Sequence, residues 1–139
     1  MIYNLVQYLR DQFPAEVIYP VEMYKTSTQQ SIPDRIIILR DSGGIEQPWT
    51  RYSSPTIQIY SRDDNPPASR KLAYDIYDHF QEHQFGLILP AITVGVTTYP
   101  AVQIAQISAI QQPYKLNTDE NGRTEYTTNY KIIFERGGW

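Results

Sequence analysis

One stretch near the C-terminus constrains this chain more than any other. Tyr126, Thr128, Tyr130, Ile132 and Phe134 alternate with Glu125, Thr127, Asn129 and Lys131. A two-residue period of that length is a strand with one largely apolar face and one polar face. It belongs in a sheet that buries one side against another layer. Asn121-Gly122 just ahead of it favours the positive φ of a tight turn, so the strand is expected to leave a hairpin tip.

Two amphipathic helices are available to form the covering layer. Ile2, Leu5, Val6, Leu9 and Phe13 fall on one helical stripe, and Pro14 ends it. The second helix is capped by Asp64 or Asn65, carries Pro66 and Pro67 in its first turn, and buries Leu72, Ala73, Ile76 and Phe80. Its end is expected near Gln84, with Gly86 just beyond.

The other apolar segments read as strands. Short extended pieces occur at residues 17–19 and 21–24. Residues 35–40, between Pro33 and Gly43-Gly44, form a β-branched run expected to be a central strand covered on both faces. Residues 56–62, behind Pro55, place Ile57 and Ile59 on one face. Ile92, Val94 and Val96 alternate. Residues 102–108 change phase after Ile104, which implies a bulge or bend. The order αβ(β)ββαβββ predicts an α+β domain over residues 1–136. Its two helices pack on one face of a largely antiparallel sheet of about five or six strands, and residues 137–139 form a short flexible tail.

Composition removes several classes of function. The 139 residues include no cysteine, which excludes a disulfide framework, a CxxC redox site and a thiolate zinc site. No apolar run approaches the length of a membrane span, and the N-terminus lacks the pattern of a signal peptide, so a soluble cytosolic domain is expected. With 12 basic and 15 acidic residues the net charge is -3, and the basic residues are scattered singly. Stable nucleic-acid binding needs them concentrated on one face and is not expected.

Three connections are long: 25–34, which opens on a polar stretch without period, 41–54 and 109–123. The second carries Trp49 and Tyr52 and the third carries Tyr114, in a chain with twelve tyrosines. Aromatic side chains on long loops either order against a partner protein or fold back over their own domain. Trp49, Tyr52 and Tyr114 are therefore the candidate interface residues.

Chemistry is sparse. His79-Phe80-Gln81-Glu82-His83 fits the HxxEH pattern, in which two histidines one turn apart hold zinc and the glutamate acts as base. Glu120, Glu125 and Glu135 offer no evident third ligand, and the simpler expectation is two histidines near a helix C-terminus, with His83 edging the core. Asp63-Asp64 and Asp75/Asp78 read as a cap region and a solvated helix face. Asp119-Glu120-Asn121-Gly122 lacks calcium-loop spacing, and Gly43-Gly44 lacks the context of a phosphate loop. No catalytic residue, metal or cofactor is assigned.

The order of the elements carries a resemblance. An N-terminal helix precedes Pro33-Asp34-Arg35-Ile36-Ile37-Ile38-Leu39 and a glycine pair. Pro55-Thr56-Ile57-Gln58-Ile59-Tyr60-Ser61-Arg62 then leads to the Leu72/Ile76/Phe80 helix. Finally Asp119-Glu120-Asn121-Gly122-Arg123-Thr124-Glu125-Tyr126 runs into Asn129-Tyr130-Lys131-Ile132. Over nearly its whole length the chain resembles the tail terminator (tail completion, or minor capsid) proteins of long-tailed bacteriophages. The resemblance implies a structural virion protein. Its homo-oligomeric ring, typically a hexamer, sits at the head-proximal end of the tail tube, with the tube protein and a head-completion or connector protein as partners. A related neck or head-completion protein would share the same features. Assembly would take place in the host cytoplasm, and the acidic balance suits a ring that DNA crosses without sticking.

Overall fold

The computed structural model describes residues 1–21, 33–45 and 52–135. The expectations for residues 22–32, for Trp49 and for the tail 137–139 lie outside them. In chain order the elements are α1 (Ile2–Gln12), β1 (Ile18–Pro20), β2 (Ile36–Ile45), β3 (Tyr52–Asp63), α2 (Pro66–Glu82), β4 (Ile88–Leu89), β5 (Ile92–Val94), β6 (Thr97–Tyr99), β7 (Val102–Ala109), β8 (Tyr114–Thr118) and β9 (Thr124–Glu135).

The main sheet runs β1-β2-β3-β9-β7-β4 and curls into a half-barrel. β9 is its spine. One edge of β9 pairs with β3 along its length, from Tyr52↔Glu135 to Asp63↔Thr124. The other edge pairs with β7 over residues 130–134 and with β8 over residues 124–127. β7 and β8 thus act as one long strand interrupted at residues 110–113. The expected phase change in β7 is present as a register shift between Ile104 and Gln106. β1 lies parallel to β2, so the sheet is mixed, and with β8 it has seven strands where about five or six were expected. β5 and β6 form a separate antiparallel hairpin.

Both helices cover one face, as the periodicity predicted. Leu5, Leu9, Leu72, Ile76 and Phe80 meet Ile37, Leu39, Ile57, Tyr130 and Ile132 in one core. Asn65 caps α2 by accepting from the Ala68 amide, with Pro66 and Pro67 in the first turn. The small side chain of Ser69 lets α2 sit close to the sheet, where its hydroxyl donates to the Thr124 carbonyl at 2.8 Å. Away from the helices, Arg35 holds the sheet's end together. It donates to both carboxylate oxygens of Glu16 at 2.8 Å and to Asp63 at 2.9 Å.

Several expectations need correction. β2 does not stop before Gly43-Gly44; it passes through them to Ile45, with a bulge at Asp41/Gly43. Gly44 has φ +132, and a Cβ there would strike the Ser54 carbonyl and approach Pro55 Cα to 2.8 Å. Glycine therefore permits strand pairing here, where the sequence suggested an end. β2 is covered on both faces only at its start, where Ile36 and Ile37 are both buried, while Arg40 is exposed. The supposed loop 109–123 contains β8, and the supposed loop 41–54 contains the ends of β2 and β3. Val96 does not continue a strand; it follows Gly95 (φ +62) in the β5–β6 turn.

Candidate functional site

The strands project alternate side chains to the side away from the helices, and that side is only partly filled. β3 sends Thr56, Gln58, Tyr60 and Arg62 there, and β9 sends Glu125, Asn129, Lys131 and Ile133. Between β2, β3 and β8 this face holds an apolar groove of about 340 Å³ floored by Ile36, Ile38, Tyr60 and Leu116, with Val21 at its side. Arg40, Arg62 and Glu125 add charge to the lining. Arg62 is itself buried and donates to the Pro33 and Asp34 carbonyls.

Two of the three candidate interface residues lie on this face. Tyr52 is the first residue of β3, opposite Glu135, and is 44% exposed. It borders a shallow depression with Phe85, Ala105, Gln106 and Ile133. Tyr114 is the first residue of β8, opposite Thr127, and is also 44% exposed. Both are strand residues rather than loop residues. Their partners on β9 are eight residues apart, roughly 26 Å along an extended strand, so they belong to two patches. Leu116, Phe85, Ile88, Val96 and Ile110 are further exposed apolar side chains that the sequence reading passed over. Leu116 carried a signal, as the one apolar residue in Lys115-Leu116-Asn117-Thr118.

The histidine pair is built into a helix–helix contact. His79 Nε2 shares a 2.7 Å hydrogen bond with the Tyr8 hydroxyl of α1. The His79 and His83 rings stack at 4.5 Å with 24° between their planes, and His83 Nδ1 lies 2.9 Å from the His79 carbonyl. Phe13 and Phe80 meet the His79 ring edge-on. Burial is the main cause that lowers the His79 pKa, aided by His83 and opposed by Glu82. Among the described residues no three His, Asp or Glu side chains converge to hold a metal. Glu120, Glu125 and Glu135 lie at a hairpin tip and at well-separated places on β9. The HxxEH spacing here is core architecture.

The remaining acidic groups also have structural partners. Burial would raise the Asp63 pKa, but hydrogen bonds from Arg35, Asp64 and the Asn65 amide hold it below the usual range. Asp119 accepts from the Asn121 and Arg123 amides and from the Arg123 guanidinium, closing the β8–β9 turn at Gly122 (φ +76). Asp75 pairs with Lys71 one turn earlier on the exposed side of α2. No helix among the described residues is long and apolar enough to cross a membrane.

A helix-covered core with a grooved, tyrosine-bearing reverse face has the geometry of a small α+β contact protein. The model of the bacteriophage tail terminator protein family matches residues 28–136. The chain belongs to that family, whose members are structural proteins of the phage tail. No curated protein matches the chain significantly.

Proposed function

We propose that the chain works as a closed ring of identical protomers, six by the resemblance, at the head-proximal end of the tail tube. There it stops tube polymerisation and offers the filled head a docking surface. Family membership over residues 28–136 carries this proposal. A rotationally closed ring needs two different patches on each protomer. The ends of the open sheet face, marked by Tyr52 and by Tyr114, supply candidates, and Trp49 is a third. The partners are further copies of the chain, the tail tube protein and a head-completion or connector protein. The net charge of -3 supports a channel that lets DNA pass, since a basic lumen would retain the genome through phosphate contacts.

Native mass spectrometry over a protein concentration series tests the ring, with purified tail tubes added in a second series. The expected result is a closed oligomer of about six protomers, as the resemblance implies, without bound metal. A monomer carrying one zinc would overturn it. Replacing Trp49 and Tyr52 together with Ala is expected to leave a folded protomer that fails to cap tails, read as overlong tubes in electron micrographs.

A further inference from the structure

Residues 84–114 contain no Asp, Glu, Lys, Arg or His, in a chain that is 19% charged. Five of the seven exposed large apolar side chains among the described residues fall within them: Phe85, Ile88, Val96, Ile110 and Tyr114. Loss of charge with retention of exposed apolar groups marks the core of a protein interface. The β5–β6 hairpin is the most prominent part of this stretch. Val96 at its turn is fully exposed.

The hairpin is held firmly at its base. Asn4, buried on α1, donates to the Pro90 and Pro100 carbonyls at 2.9 Å, one on each side of the hairpin. Tyr3 packs against Tyr99 with ring centres 5.1 Å apart. These contacts tie the hairpin to α1, which covers one side of the sheet. The groove at Ile36, Ile38, Tyr60 and Leu116 opens on the other side. A protomer therefore cannot fill its own groove with its own hairpin.

The groove's rim also differs from the far edge of the sheet. β1 is closed to pairing: Arg10 donates twice to the Ile18 carbonyl, at 3.0 and 2.7 Å, and Pro20 has no N–H. β8, which carries Leu116, is exposed at all five residues. An uncharged apolar projection and an apolar groove beside an exposed strand are the two unlike halves of a head-to-tail contact.

We infer that the Val96 hairpin of one protomer seats in the Ile38/Leu116 groove of the next copy. This contact rests on the ring proposed above and names the surfaces that form it. At about 340 Å³ the groove has room for the valine and part of its turn.

The absence of cysteine makes a clean test possible. A Val96→Cys/Leu116→Cys double variant is oxidised with copper–phenanthroline, and the disulfide acts as a stringent distance probe. A ladder of linked oligomers is expected, ending at the ring size, with no ladder from either single variant. Val96→Asp is expected to abolish oligomers in native mass spectrometry while circular dichroism and melting temperature match the parent. Dimers from Val96→Cys alone would mean tip-to-tip contact and overturn the inference. So would an oligomer that forms with Val96→Asp, or an oligomeric double variant that yields no 96–116 disulfide. If the parent assembles neither alone nor on tail tubes, the ring itself falls, which separates the two failures.

Discussion

On the side facing α1 and α2, β3 presents Ile57 and Ile59 and β9 presents Tyr130, Ile132 and Phe134, all buried. On the reverse side the same strands present Gln58, Tyr60, Asn129 and Lys131, none of them fully buried. Backbone pairing is shared, so the contrast comes from what covers each face. The covered side is closed by helices from the same chain, and its side chains answer to packing density. The open side keeps a groove and exposed tyrosines, and its side chains are free to answer to a partner. Stability and assembly are thereby assigned to opposite faces of one sheet.

The largest effect should come from breaking the covered side. Phe80 meets Tyr130 edge-on at 5.2 Å and is buried. Phe80→Ala is expected to cost about 3–5 kcal/mol in chemical denaturation. A loss below about 1 kcal/mol would show that α2 does not close this core.

Next is the ionic tie at the sheet's end. Arg35→Met strands Glu16 and Asp63, whose side chains are only 13% and 10% exposed. Because Arg35 itself is 40% exposed, solvent screening reduces the loss to about 2 kcal/mol. An unchanged denaturation midpoint would make the tie dispensable.

A smaller effect should appear as a pH dependence of the helix contact. The folded His79 pKa lies below its ordinary 6.5, chiefly through burial. The unfolded chain therefore binds more protons just below pH 6.5, and stability falls as pH drops through that value, levelling off below the folded pKa. His79→Gln is expected to flatten this slope between pH 7 and the folded pKa in paired melting curves. Equal slopes would sever His79 from it.

The open side should show the smallest change in stability. Tyr114→Ser with Leu116→Ser is expected to stay within about 1 kcal/mol of the parent, since both side chains are half exposed. A loss comparable to that of Phe80→Ala would erase the distinction between the faces.

Much of the covered side was legible in the residues alone. The stripes of α1 and α2, the Asn65 cap, the phase shift in β7 and the Asn121-Gly122 turn are local patterns, and each is present. The open side was harder to read. Tyr52 and Tyr114 stood out as aromatic, yet Gly44, Pro113 and an uneven pattern concealed the strands that carry them. The HxxEH spacing misled in the other direction, because a turn apart on a helix says nothing about a ring from α1 arriving to bond His79.

By itself the sequence determined which side chains need burial, where helices begin and end, and that no thiol chemistry is possible. These follow from period, caps and composition, which act within a few residues. Tertiary structure decided that β9 would pair with β3 on one edge and with β7 and β8 on the other, that β1 would run parallel to β2, and that a groove would open opposite the helices. Those outcomes depend on contacts between segments tens of residues apart, and no local period encodes which strand edges meet.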